Sequence, residues 1–178
     1  PFITFSGSTV STEGDFLRVD GNGSKITLSG SFLSAGSTLN IGTDPTLFGD
    51  LLDVRAPAQL VMNSSNPVVL FTGGTHTVGT DHDASNNTPN RLFRLAGVNT
   101  DSDGLGSDQP IKGTNPPFEG ADNPIGILLK ATDGATIEVK KGSGDTAGGN
   151  AVRLDTARYE GAPPIIELIG SATNETTL

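Results

Sequence analysis

A short apolar pattern recurs along the chain and constrains the fold more than any other feature. It consists of two apolar residues, a free position and a further apolar or small residue, as in Phe16-Leu17-Arg18-Val19. Its copies begin 14 to 36 residues apart, at Phe16, Phe32, Leu51, Val68, Leu92, Leu128, Ala151 and Ile165. No copy has enough apolar residues for a core of its own, so the copies must pack on one another.

A second apolar segment with strict alternation follows several copies after a short turn. Alternation places one side of a β-strand inward and the other outward. Turn signals such as Asp133-Gly134 separate the two segments, because Gly and Asp accept the backbone angles of tight turns. The alternating segments are Ile26-Thr27-Leu28, Leu39-Asn40-Ile41, Leu60-Val61-Met62 and Ile137-Glu138-Val139. Each unit therefore predicts strand, turn, strand and loop.

The composition disfavours a helical bundle. Only 34% of the 178 residues are hydrophobic, and 24 Gly and 11 Pro interrupt the chain, whereas good helix formers are scarce. We predict an all-β fold, a right-handed parallel β-helix (β-solenoid) with about 16–24 residues per coil. The alternative is a β-sandwich or jelly roll, in which the same strands would alternate between two antiparallel sheets.

Residues 1–178 are expected to form a single β-solenoid domain with two insertions. The segments at about 80–90 and 97–126 are polar and depart from the pattern. The second insertion has twice the normal spacing, so a weak coil is expected near Ile111. Both insertions are expected to leave from one edge of the solenoid, where such folds usually place binding surfaces.

Charge and cysteine content exclude several classes of function. The formal net charge is −9 and the basic residues are scattered, which disfavours binding to nucleic acid or to an anionic membrane surface. The chain has no Cys, so neither a disulfide nor a thiolate contributes. No apolar run approaches the roughly 18 residues that span a bilayer, so we expect no membrane insertion. The small-polar composition favours an extracellular location.

Several phrases resemble those of a known family. Gly-Asp-Φ-Leu-x-Val begins at Gly14 and Gly49, where Φ is apolar, and the phrases Gly-Ser-Thr-Val and Gly-Ala-Thr-Ile begin at Gly7 and Gly134. In this repeat style, residues 7–80 and 126–170 resemble the right-handed β-helix of filamentous-haemagglutinin-type exoproteins and autotransporter passenger domains. The resemblance implies a bacterial surface adhesin, stalk or matrix fibre, and it carries no fixed catalytic motif.

We therefore expect a non-enzymatic extracellular structural or adhesive protein without a cofactor. Its expected partners are further copies of itself joined head to tail, flanking repeats of a longer chain, or host or matrix glycans. One alternative is a carbohydrate-binding or polysaccharide-cleaving β-helix, and a second is a phage or virus fibre segment.

The apolar ends are the candidate assembly site, because a solenoid has open ends whose backbone groups lack partners. Neither end shows a polar helix or a Pro-rich cap. The candidate assembly residues are Phe2, Ile3, Phe5, Ile165, Ile166, Leu168 and Ile169.

The insertions hold the candidates for ligand binding. Asp101, Asp103 and Asp108 surround a Gly turn, an oxygen-rich arrangement that suits Ca²⁺, although the pattern favours an ordinary solvated Asp-Gly turn. Asp81, His82 and Asp83 combine imidazole with carboxylates, and either a binding loop or a polar loop with an incidental His accounts for them. Phe118 is the remaining binding-loop candidate.

The free position of the pattern often carries a charge. Outward side chains there would keep the sheet soluble and set the register of the strands, or would form a polysaccharide-cleaving carboxylate site. The charged residues at this position are Arg18, Asp53, Arg94, Lys130, Arg153 and Glu167, and Asp155 lies two residues after Arg153.

Overall fold

The computed structural model describes residues 1–21, 24–44, 47, 49–55, 58–62, 66–79, 90–96, 111–113, 127–140, 150–155, 166–170 and 176–178. These residues form β-strands and no helix, which confirms the predicted all-β class. Within this part of the chain, no helix is long and apolar enough to cross a membrane.

The strands are short, as expected for a chain punctuated by Gly and Pro. Their bounds are β1 Ile3–Phe5, β2 Val10–Ser11, β3 Leu17–Val19, β4 Lys25–Leu28, β5 Leu33–Ala35, β6 Leu39–Ile41, β7 Asp50–Arg55, β8 Gln59–Met62, β9 Val69–Thr72, β10 Thr75–Val78, β11 Arg91–Ala96, β12 Ile111–Gly113, β13 Leu129–Thr132, β14 Thr136–Val139, β15 Asn150–Asp155 and β16 Ile166–Leu168.

All pairs among the described strands are parallel, and the strands form four sheets. Sheet 1 has the order β1-β5-β9-β13-β16, sheet 2 β2-β6-β10-β14, sheet 3 β3-β7-β11-β15 and sheet 4 β4-β8-β12. Each strand from β1 to β11 pairs with the strand four places later, and β13 pairs with β16. The antiparallel sheets of a β-sandwich are therefore the wrong alternative for the described strands.

The spacing between paired strands differs from the predicted 16–24 residues. Paired residues are separated by 29 positions between Val10 and Leu39, and by 61 between Thr75 and Thr136. Successive copies of the apolar pattern lie alternately in sheet 3 and sheet 1, so two copies of the pattern, and not one, separate paired strands.

In the inner copies, which begin at Phe32, Leu51, Val68, Leu92 and Leu128, both residues of the apolar pair are buried. Phe32 and Leu33 at β5, and Leu128 and Leu129 at β13, are all shielded from solvent. Simple alternation would expose one residue of each pair. The chain must therefore change direction at the pair, so that both side chains reach the core. Full burial of such a side chain stabilises the fold by about 1.5–3 kcal/mol.

Aromatic contacts join sheets 1 and 3 in the interior. The ring of Phe16, directly before β3, packs edge-on against Phe5 of β1 and Phe32 at the start of β5, with ring centroids 5.9 and 6.1 Å apart. The core is continuous from Val19 in the first strands to Ile137 in β14.

The junction between sheets 2 and 3 is crowded. Asn90 is fully buried before β11; its amide donates a hydrogen bond to the Lys140 carbonyl (3.1 Å), and its carbonyl oxygen accepts one from the Gly49 N–H (3.4 Å). Gly42 and Gly79, both with positive φ, follow β6 and β10 here. Asn90 thus connects three successive segments that run from sheet 2 to sheet 3, through its own position and its bonds to Gly49 and Lys140.

The two predicted insertions lie largely outside the described residues, which include only Asn90 of the first and Ile111–Gly113 of the second. The expectation that both insertions leave from one edge therefore stays a prediction. The weak coil expected near Ile111 corresponds to β12, which pairs with β8.

Candidate functional site

The predicted assembly residues lie at the two opposite edges of sheet 1. Phe2 directly precedes β1, which contains Ile3 and Phe5 and forms one edge. Ile166 and Leu168 belong to β16 at the other edge, and Ile169 follows it. Ile165 lies outside the described residues. Because both edge strands belong to one parallel sheet, their free sides face in opposite directions along the same ladder of strands.

Among the described residues of sheet 1, large apolar side chains are exposed at these edges but not between them. The register places Phe2 in one column with Phe32, Val68 and Leu128. The three inner members are at most 1% exposed, whereas Phe2 is 70% exposed. At the other edge, Leu168 and Ile169 are 39% and 44% exposed. The columns therefore end in apolar side chains that only a further strand would cover.

The first strands of the other sheets also bury their core-facing residues less completely than the inner strands do. Inner strands contribute core residues that are almost fully buried, whereas the core-facing residues of the first four strands are largely only half-buried. The half-buried apolar residues that pack against the core are Ile3, Phe5, Val10, Phe16, Leu17, Ile26, Val139 and Ile166. Most belong to β1–β4 or directly precede them, so one end of the core is open in all four sheets.

The remaining predicted candidates lie outside the described residues. This applies to the calcium candidates Asp101, Asp103 and Asp108 and to the binding-loop candidates Asp81, His82, Asp83 and Phe118.

The charged free positions align across neighbouring strands as the pattern predicts. Arg18, Asp53, Arg94 and Arg153 occupy one register position of sheet 3. In sheet 1, Lys130 and Glu167 occupy one position, and their side chains form an ion pair at 2.9 Å. Asp53 is not an outward solvent-facing carboxylate, however, because it is fully buried and both its oxygens accept hydrogen bonds from Arg55.

A buried ionic network lies beside Asp53, and the sequence analysis missed it. The carboxylates of Asp15, Asp50 and Asp53 lie within 4.8 Å of one another. Arg91 Nε donates a hydrogen bond to Asp50 Oδ1 at 3.0 Å, and the Asp50 N–H donates one to Asp15 Oδ1 at 2.9 Å. The network therefore links the starts of β3, β7 and β11.

Burial controls the protonation of this network. Desolvation raises the pKa of Asp50 to about 6 and outweighs the opposing effect of Arg91. Desolvation also raises the pKa of Asp15, while the hydrogen bond from the Asp50 N–H acts in the other direction. The three carboxylates do not form an open cation site, because Arg91 engages Asp50 and Arg55 engages Asp53. The arrangement acts as an internal ion-pair network that can take up a proton.

The network could have been found from the register of the pattern. Asp15, Asp50 and Arg91 each directly precede an apolar pair, at or just before the starts of β3, β7 and β11, and β7 lies between the other two strands in sheet 3. With a period of 16–24 residues, the position of Asp15 would instead align with Ser31, and no cluster is expected.

His76 belongs to β10 and its side chain lies in the sheet interior. It shares a column with Leu39 and Ile137, is 1% exposed and stacks on Phe71 with ring centroids 3.8 Å apart. Its Nε2 lies 2.9 Å from the Gly73 carbonyl, and its Nδ1 has no hydrogen-bond partner among the described residues. Desolvation lowers the pKa of His76.

Two open surface grooves are lined largely by small residues. One, of about 370 Å³, is formed by Pro1, Phe2 and residues 27–31. The other, of about 380 Å³, is formed by Gly7, Ser8, Thr9, Gly36, Ser37, Thr38 and Gly74. Hydroxyl and backbone groups supply the polar atoms of both grooves, and neither groove is lined by a carboxylate or imidazole side chain.

The chain matches no protein-family model, no curated protein and no solved structure. The resemblance to filamentous-haemagglutinin-type proteins therefore stays a prediction from repeat style.

Proposed function

We propose that this chain is a non-enzymatic extracellular structural or adhesive protein, a β-solenoid that joins to further copies through its end strands and forms a filament. The observation that carries the proposal is the strand order: in each of four parallel sheets, strands follow one another in chain order from one edge to the other. A chain that winds repeatedly through the same four sheets produces this order. Each of the first three circuits then contains four strands, and the second and third each contain two copies of the apolar pattern.

The open core supports assembly through the ends. Stacked strands leave unpaired N–H and C=O groups at each edge, and such edges pair readily with another chain. Here the edges also carry exposed apolar residues, among them Phe2 at one and Leu168 at the other. Because the two edges differ and face opposite ways, their contact is heterologous and does not close on itself, which produces a filament.

The proposal is tested by electron microscopy and mass determination in solution over a concentration series. We expect fibres of uniform width, and aligned fibres should give a reflection at about 4.8 Å along the fibre axis, the spacing of paired strands. A protein that stays monomeric at the highest concentration overturns self-assembly and points to flanking repeats of a longer chain as the partner. Parallel samples with calcium and with a chelator test the Asp101, Asp103 and Asp108 prediction separately.

A further inference from the structure

The backbone of β1 has a defined hydrogen-bond phase. The Ile3 N–H donates to the Phe32 carbonyl at 2.9 Å, and the Phe5 carbonyl accepts from the Gly36 N–H at 3.1 Å. In a parallel ladder, the N–H and C=O of one residue point to the same neighbouring strand, and alternate residues point to opposite neighbours. The backbone groups of Ile3 and Phe5 therefore bond with β5, and the backbone groups of Thr4 face the free edge.

The backbone of β16 has the complementary phase. The Ile169 N–H donates to the Ala131 carbonyl at 2.9 Å, and Ala131 is paired with Leu168 in the register. Residues 167 and 169 therefore face β13, whereas the N–H and C=O groups of Ile166 and Leu168 face the free edge. A strand that pairs with this edge must place one residue opposite Glu167, between Ile166 and Leu168. The backbone N–H and C=O of that residue must both be free to bond with β16.

Thr4 meets this requirement. We propose that β16 of one molecule pairs in parallel with β1 of a second copy, in the register Ile166 to Ile3, Glu167 to Thr4 and Leu168 to Phe5. This inference rests on the proposed function and specifies its contact. The Thr4 N–H donates to the Ile166 carbonyl, and the Leu168 N–H donates to the Thr4 carbonyl.

The side chains favour a second copy as the occupant. Ile166 and Leu168 continue the two inward columns of sheet 1, which contain Leu129 and Ala131 in the preceding strand. Ile3 and Phe5 begin the same two columns at the other edge. Pairing therefore continues both apolar columns without a break, and the outward position holds Thr4 beside Glu167, with no like charges opposed.

A disulfide between two molecules tests this register. The chain has no Cys, so Thr4→Cys combined with Glu167→Cys introduces the only thiols. Paired Cα atoms on neighbouring strands lie about 4.8 Å apart, which suits a disulfide. Within one molecule four strand spacings, about 19 Å, separate the two positions, so the bond can form only between copies.

We expect mild oxidation to produce a ladder of covalent oligomers that collapses on reduction. The matched control combines Glu167→Cys with Ser11→Cys, an exposed position on the edge strand β2 of sheet 2. We expect at least tenfold less cross-linked product from it. Fibres without a Thr4–Glu167 cross-link overturn the register and leave the proposed function standing, whereas absence of fibres and of cross-links overturns both.

A second pair of variants tests the backbone contact. Thr4→Pro removes the N–H that faces the free edge and leaves the bonds of Ile3 and Phe5 to β5, a position where edge strands tolerate Pro. We expect Thr4→Pro to raise the concentration needed for assembly at least tenfold, and Thr4→Ala to leave it unchanged. Circular dichroism and melting confirm that both variants fold. Equal assembly by the two variants overturns the inference.

Discussion

Arg91 Nε lies 3.0 Å from Asp50 Oδ1, and both side chains are 1% exposed. The pair joins β11 to β7 deep inside sheet 3. Charges at such depth are stabilising only while both are present, since the partner of a removed charge stays desolvated and uncompensated. The stability of the stack therefore depends on this pair more than on the exposed ion pairs.

Replacing Arg91 should destabilise the protein strongly. We expect Arg91→Met to lower the free energy of unfolding at pH 7.5 by about 3–5 kcal/mol, because Asp50 stays buried without its cation. Chemical denaturation measures the change. The double variant Asp50→Leu with Arg91→Met should recover much of the loss. Arg18→Met, which removes an exposed pair with Asp20, is the matched control and should change stability little; an equal loss there contradicts the argument.

The pH dependence of stability should show the titration of Asp50. Its pKa is about 6 in the folded protein against 3.8 for the ordinary group. Between pH 4 and 6 the folded state holds a proton that the unfolded state releases, so the contribution of Asp50 to stability falls as the pH rises. From pH 4 to 7, wild type should lose about 3 kcal/mol relative to Asp50→Asn. A difference between the two that does not vary with pH contradicts this.

His76 should give a pH dependence of the opposite sign. Its pKa is lowered by desolvation, so the unfolded state binds a proton first as the pH falls below about 6.5. Relative to His76→Leu, which continues the aliphatic column of Leu39 and Ile137, wild type should therefore lose stability on acidification below that pH. Denaturation curves from pH 7.5 to 5 compare the two proteins, and parallel pH profiles contradict the prediction.

The strands and their apolar sides could be predicted because alternation is a local property. The pairing of the strands could not be predicted, because the apolar pattern looks alike in sheets 1 and 3. Consecutive copies are therefore only about half as far apart along the chain as paired strands are. The longer match between residues 14–21 and 49–56 does align Leu17 with Leu52, which pair in the structure. The proximity of Asp15, Asp50 and Arg91 was not predicted, because it depends only on the longer spacing between paired strands.

Gly79 should tolerate a side chain much less than Gly7. Both have positive φ, but a Cβ at Gly79 would overlap the side chain of Asn90, whereas a Cβ at Gly7 would meet no atom within 4 Å. We expect Gly7→Ala to cost about 1–2 kcal/mol for its backbone conformation. Gly79→Ala should cost about 1–3 kcal/mol more, because Asn90 is buried and bonded to Gly49 and Lys140. Urea denaturation of both variants measures the difference, and equal losses would show that Asn90 can move away without cost.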